Sequence, residues 1–136
     1  MSIEQCVAFH KRDLPTTAAL NSAAGSFGVD LSLEDADLAS HTGFLPAKLN
    51  GADTGFEWYI GSADDFGDRG IDFGDRDCVC TFRTGSIEAE TQCATVCAAA
   101  LMTLTKGIYF DEYDGVADTP DRIIAEVRAW IEDSSA

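Results

Sequence analysis

The alternation of apolar and polar residues predicts a sheet of short strands. Six segments are expected to be strands: 3–9, 29–33, 43–49, 56–60, 78–82 and 108–110. Their two-residue period is typical of strands with one buried face. The strand 43–49 is expected at a sheet edge, because Pro46 cannot donate a backbone hydrogen bond. A turn is expected over 51–55, before the strand in which Phe56, Trp58 and Ile60 share one face.

Apolar residues spaced three or four positions apart predict three helices. They are expected over about 13–27, 87–105 and 120–131. Ser86 and Thr119 are the expected N-caps of the last two, with Pro120 at a first helical position. Gly28 and Gly107 should end the first two. The buried stripe of the second helix is expected to be Ala89, Cys93, Val96, Cys97, Ala100 and Leu104.

The order of these elements predicts an α+β fold, in which a mainly antiparallel sheet carries helices on one face. Residues 1–136 are expected to form a single domain, because one core is typical at this length. The chain is 46% hydrophobic and contains 8 Phe, 3 Tyr and 2 Trp. This composition excludes a disordered acidic tail, which could not bury enough apolar surface to fold.

The first residues and the cysteines predict a cytoplasmic protein. The chain starts without the basic and apolar blocks of a secretory signal, so none is expected. It has no run of about 18 apolar residues, the length that a membrane span needs. Five cysteines are an odd number, which suits reduced thiols in a cytosol better than a closed set of disulfides.

Net charge is the most unusual property of the composition. Lys and Arg total 9 whereas Asp and Glu total 24, which gives a formal net charge of -15. Such a surface repels nucleic acid and anionic membranes and attracts basic protein surfaces. We therefore expect a basic protein partner, and neither nucleic acid nor a membrane. The acidity could equally reflect a salt-rich or generally acidic proteome, and this alternative stays open.

The segment 61–77 is rich in Gly and Asp and contains a tandem copy. Asp-Phe-Gly-Asp-Arg occurs at 65–69 and again at 72–76. Two copies so close together are too few for a solenoid. We interpret them as two successive turns, or a hairpin, each of which pins one Phe into the body of the protein.

The cysteines, the histidines and the clustered acidic residues are the candidate sites of chemistry. Cys78, Cys80, Cys93 and Cys97 could converge on zinc, but their spacing is unlike a zinc ribbon and favours a core position. Cys6 and His10 are too far apart on a strand to form a catalytic pair. The acidic runs 64–77 and 111–118 are expected to be solvated turns first, a surface for a basic partner second, and a calcium site third. We expect no enzyme activity, cofactor or metal site.

One resemblance concerns the last third of the chain. Cys80-Thr81-Phe82-Arg83, the alanine-rich segment after it, and residues 107–115 carry it. Together they resemble the closing segment of small bacterial proteins, some of which resemble immunity proteins of toxin systems. The resemblance implies a role in binding a toxin and transfers no catalytic residue.

Three hypotheses of function follow. The first is a non-enzymatic acidic protein that binds a basic partner, in its sharpest form an immunity or inhibitor protein that masks a toxin. The second is a ligand-binding domain or enzyme whose pocket between sheet and central loops would use His41, Glu57, Tyr59 and Asp111. The third is a homodimer through the aromatic strand, as opposed to a monomer. The predicted partner contacts are Trp58, Tyr59, Asp64, Asp65, Asp68, Asp72, Asp75, Asp111, Glu112 and Asp114.

Overall fold

The computed structural model describes residues 3–111, 115–117 and 119–135. Their strands are β1 (Ile3–Phe9), β2 (Leu31–Leu33), β3 (Gly43–Leu49), β4 (Ala52–Ser62), β5 (Cys78–Thr84), β6 (Ile108–Asp111) and β7 (Val116–Ala117). They form one sheet in the order β2-β3-β4-β5-β1-β6-β7, and every neighbouring pair is antiparallel. The helices are α1 (Thr17–Ser26), α2 (Glu88–Thr105) and α3 (Asp121–Ser135). The predicted α+β class is confirmed.

The central helix α2 packs on β1, β4 and β5 of the sheet and also contacts α1 and α3. Because it has neighbours on several sides, every residue from Cys93 to Met102 is buried. The predicted single buried stripe therefore includes too few residues in the middle of the helix and extends too far toward its ends. Ala89 and Leu104 are exposed, although Thr105 beside Leu104 is buried.

The helix ends differ from the prediction in detail. Lys11–Asp13 form a 3-10 helix, and α1 starts only after Thr16, whose hydroxyl accepts a hydrogen bond from the Ala19 N–H at 3.1 Å. The expected cap Ser86 is wrong, because Ile87 occupies that position without a side-chain bond. The Pro120 carbonyl accepts the first helical hydrogen bond of α3 from Ile124 at 2.8 Å.

The prediction that the strand 43–49 lies at an edge is only half right. In the sheet, β3 lies between β2 and β4, but β2 pairs with the last three residues of β3 alone. Pro46 lies just beyond that pairing, where its missing N–H costs no ladder bond. The turn after β3 is also shorter than expected. It consists of Asn50 and Gly51, both at positive φ, so Leu49 pairs directly with Ala52.

The face of the sheet that carries the helices holds the main core, as the alternation in β4 and β5 predicted. Phe56, Trp58 and Phe82 are fully buried there, and the Phe82 ring lies 5.4 Å and 5.5 Å from the other two rings. The Trp58 indole N–H donates to the Leu38 carbonyl at 3.0 Å, which satisfies its one polar group. Among the described residues, no helix combines the length and the apolar character that crossing a bilayer requires.

Candidate functional site

The outer face of the sheet, opposite the helices, is covered over only part of its area. Residues 63–77, named the acidic segment below, contain a 3-10 helix (Ala63–Arg69) followed by a loop. Four of its side chains pack on this face: Ala63, Phe66, Ile71 and Phe73. Beneath them lie Cys6, Ala8, Val79 and Phe110, which form a second, smaller apolar cluster. Both faces of β1 are therefore buried at its centre.

Both Phe residues of the tandem copy pack against the same aromatic side chain of the sheet. The rings of Phe66 and Phe73 lie 5.6 Å and 5.4 Å from the ring of Phe110. The prediction that each copy pins one Phe into the body is confirmed. The first copy does so from a 3-10 helix and the second from a turn.

The two Arg residues of the copies also hold the acidic segment in place. The guanidinium of Arg69 lies over the Phe110 ring, 5.7 Å from its centroid. Arg76 donates to the Phe73 carbonyl at 3.2 Å and to the Lys106 carbonyl at 2.8 Å. The latter bond binds a cation to the C-terminus of α2, where the helix dipole favours positive charge.

The two residues that follow β1 bind the end of the acidic segment. The Lys11 N–H donates to the Asp77 carboxylate at 2.9 Å, and this bond is the main cause that lowers the pKa of Asp77. His10 lies 3.2 Å from the carboxylate of Asp75. The Ala63 N–H donates to the Asp77 carbonyl, which closes the segment into a loop. Hydrogen bonds therefore hold the two ends of the acidic segment, and its apolar side chains hold its middle on the sheet.

The fixed segment presents its carboxylates to solvent. Five of the predicted contact residues are exposed here: Asp64, Asp65, Asp68, Asp72 and Asp75. Asp72 accepts a hydrogen bond from the Gly74 N–H at 2.9 Å, which shapes the second turn. Because the apolar residues of the segment face the sheet, its acidic residues face outward.

The rest of the outer face is an open surface beside the acidic segment. One row across four adjacent strands consists of Phe44, Glu57, Arg83 and Glu4, which lie opposite one another in register. Tyr59 lies in the next row, and its hydroxyl donates to the Glu57 carboxylate. This hydrogen bond is the main cause that raises the pKa of Tyr59. We name Glu4, Phe44, Glu57, Tyr59 and Arg83 the open face.

Two of the predicted contacts lie elsewhere. Trp58 is wrong as a contact residue, because its side chain is fully buried on the helix side of the sheet. Asp111 is paired with Gln5 on that same side, whereas the acidic segment covers the other side. Its carboxylate accepts hydrogen bonds from the Tyr109 hydroxyl at 3.1 Å and the Gly115 N–H at 2.9 Å. Glu112 and Asp114 lie outside the described residues.

The polar residues of the hypothetical pocket do not converge. His41 is hydrogen-bonded to the Phe44 carbonyl at 3.0 Å, at the margin of β3. Glu57 and Tyr59 bind each other on the open face, whereas Asp111 lies on the opposite side of the sheet. The second apolar cluster fills the centre of the space between the sheet and the acidic segment. A hollow of about 580 Å³ at its margin is lined by Gly70, Ile71, Asp72, Ile108 and Val116, and none of the four polar candidates lies there. These positions disfavour the pocket hypothesis.

The cysteines are core residues in this structure, as their spacing favoured. All five are free and buried, and burial raises the pKa of Cys6 to about 11 and that of Cys93 to about 12. The Cys6 thiol contacts the Thr81 hydroxyl at 3.6 Å, while His10 contacts Asp75 instead. In the described part of the chain, no three His, Cys, Asp or Glu residues are grouped so that they could hold a metal ion.

Two residues that the structure places near Glu57 were not predicted from the sequence. Phe44 is 51% exposed on the open face, although it precedes the buried Leu45. Glu90 lies in the first turn of α2 and lines a hollow together with Phe44 and Glu57. Apolar residues on both faces of the strand 43–49 could have indicated Phe44, whereas nothing local indicates Glu90.

Comparisons of the chain with protein-family models, with curated proteins and with solved structures return no match.

Proposed function

We propose that this protein is a non-enzymatic binding protein that uses its acidic segment and open face to bind a basic protein partner. The observation that carries the proposal is the fixation of the acidic segment. Its two Phe residues and two Arg residues are turned toward the body of the protein, so that the carboxylates between them point to solvent in a fixed arrangement.

A fixed segment is suited to binding because little conformational entropy is lost when a partner docks. The exposed carboxylates speed the encounter with a basic surface, and the neighbouring aromatic residues supply contact area once the two proteins meet. Phe44 and Tyr59 lie on the same side of the sheet as the acidic segment. The surface thus combines charge at its margin with aromatic groups.

The sharpest form of the proposal is an immunity or inhibitor protein. Toxins that act on nucleic acids have basic clefts, which an acidic surface complements in shape and charge. The resemblance of the last third of the chain points to the same class. In this role the protein would act by covering the cleft, without a chemical step of its own.

The test compares partner binding by the natural chain and a triple variant, Asp68→Asn, Asp72→Asn and Asp75→Asn. The partner is sought by co-expression with the product of the adjacent gene, and association is then measured at two salt concentrations. We expect the triple variant to associate about tenfold more slowly at low salt and to depend less on salt. Asn retains the hydrogen bond that Asp72 accepts from Gly74, so folding should change little.

A matched control carries the same change in net charge on α3, at the exposed residues Asp121→Asn, Glu126→Gln and Glu132→Gln. The proposal requires a smaller effect from this control than from the triple variant. Equal association rates for the natural chain and the triple variant at low salt would show that the acidic segment is only a solvated turn. A chain that retains no protein at low salt would contradict the binding function itself.

A further inference from the structure

A hollow of about 270 Å³ opens where β5 passes into α2, at the margin of the open face. Phe44, Glu57 and Arg83 line it from the sheet, and Glu90 lines it from the first turn of α2. Phe56, Thr84 and Gly85 complete its wall. The hollow therefore combines an aromatic ring with two carboxylates from different elements.

The Phe44 ring and the carboxylates of Glu57 and Glu90 can contact a partner in this hollow. Phe44 is 51% exposed, so much of its ring is not covered by the protein itself. Within the described residues the one contact of 4 Å or less between a basic and an acidic side chain joins His10 and Asp75, so no cationic group lies within 4 Å of Glu57 or Glu90. Arg83 lies opposite both Glu57 and Glu4 in register, so one positive charge faces three acidic residues around the hollow.

We propose that this hollow binds an arginine side chain of the basic partner, with the guanidinium against Phe44 and its N–H groups directed to Glu57 and Glu90. A guanidinium is planar, stacks on aromatic rings and donates hydrogen bonds to carboxylates in a fixed fork, which an ammonium group cannot do. This inference rests on the proposed function and adds to it the position and chemistry of one contact. The acidic segment attracts the partner, and the hollow selects its arginine.

The test uses a short oligo-arginine peptide, with oligo-lysine and oligo-citrulline peptides of equal length as comparisons. Backbone amide shifts of the full chain are followed by NMR at low salt. Oligo-arginine should shift Phe44, Glu57, Arg83 and Glu90 in addition to the acidic segment. Oligo-lysine should shift mainly the residues of the acidic segment. Its charge equals that of oligo-arginine, but its ammonium groups cannot stack on a ring or donate paired hydrogen bonds to a carboxylate in a fixed geometry. Oligo-citrulline has no charge and should bind least.

Two variants test the hollow itself. Phe44→Ala and the double variant Glu57→Gln with Glu90→Gln should each weaken oligo-arginine binding about five- to tenfold. Glu132→Gln, an exposed change on α3 outside the lining of the hollow, should change the affinity less than about twofold, since an exposed charge that does not contact the ligand is screened. The double variant leaves apolar packing unchanged, so its result does not depend on how well Phe44→Ala folds.

The outcomes separate this inference from the proposed function. Shifts confined to residues 63–77, with the hollow variants binding like Glu132→Gln, would overturn the arginine site and leave the acidic surface intact. Equal amide shifts of the hollow residues with oligo-lysine and with oligo-arginine would overturn the selectivity of the hollow for arginine. A peptide that shifts no residue at low salt would contradict both proposals.

Discussion

At the scale of single residues, Gly55 shows how closely the strands approach beneath the open face. A Cβ atom at this position would lie 2.6 Å from the Leu45 carbonyl and 2.5 Å from the Phe44 ring, and its φ is +154°. The Phe44 side chain can move, but the carbonyl belongs to the paired strand and cannot. Only glycine therefore allows Phe44 to lie across β4 in this register.

Gly55→Ala is expected to lower the free energy of unfolding by about 2 kcal/mol, because it combines a steric clash with a backbone conformation unfavourable to alanine. Gly67→Ala is the matched control, since a Cβ there would meet nothing within 4 Å. Urea unfolding of both variants checks the prediction. Equal stabilities of the two variants would contradict the packing described for Phe44 and Gly55.

The buried thiols predict a loss of stability at alkaline pH. The folded chain holds the protons of Cys6 and Cys93 more tightly than the unfolded chain, because burial disfavours the thiolates. Their contribution is therefore fully present below about pH 9 and is lost as pH rises toward 11 and 12. Urea unfolding across this range should show the fall. Cys93→Ala removes one of the five buried thiols and should give a flatter curve, so an unchanged curve would contradict the assignment.

At the scale of elements, the acidic segment is held to the sheet by groups that recur in its two copies. Each copy turns its Phe onto Phe110, and each Arg binds the body of the protein, one over a ring and one at a helix end. The helices and the segment thus cover opposite faces of the sheet. The open face remains uncovered because the apolar side chains of the segment pack on β1, β5 and β6.

Arg76→Ala is expected to loosen the second copy without unfolding the protein. It removes the bonds to the Phe73 and Lys106 carbonyls, at a cost of about 1 kcal/mol. Amide hydrogen exchange should become faster over residues 70–77, while exchange in α2 should change little. Arg128→Ala, an exposed change on α3, is the control. If exchange over 70–77 is the same in both variants, Arg76 does not hold the segment.

At the scale of the whole molecule, acidic residues far outnumber the cations that could pair with them. The net charge is -15, and within the described residues the one contact of 4 Å or less between a basic and an acidic side chain joins His10 and Asp75. Carboxylates of one sign on a small surface repel each other and oppose the compact state. This repulsion exists whether the acidity serves a partner or a salt-rich environment.

The free energy of unfolding is therefore expected to rise with sodium chloride, by on the order of 1 kcal/mol as the Debye length falls from about 10 Å at 0.1 M to about 3 Å at 1 M. The triple Asn variant of the acidic segment should gain less, because it carries three fewer charges. Chloride is used because sulfate strengthens apolar burial by itself. A free energy that does not depend on salt would show that self-repulsion is negligible. A chain that folds only in molar salt would favour the salt-rich environment.

The chain by itself determined most of the elements and the fold class. The alternation in 3–9, 56–60 and 78–82 predicted β1, β4 and β5, because side chains of a strand point to its two faces in turn. The tandem copy predicted that Phe66 and Phe73 would be buried. Each of these features is determined by residues close together in the chain, so a local sequence pattern is enough to predict it.

Tertiary structure alone decided which surfaces are covered. Trp58 is a plausible contact by its type, but the helical layer buries it. The two acidic runs are similar in composition, yet Asp111 lies on the helix side of the sheet and the acidic segment on the other. Phe44, Glu57 and Glu90 meet only because β3, β4 and α2 converge there. Such positions result from the order of strands and the packing of layers, which join residues far apart in the chain and leave no local pattern.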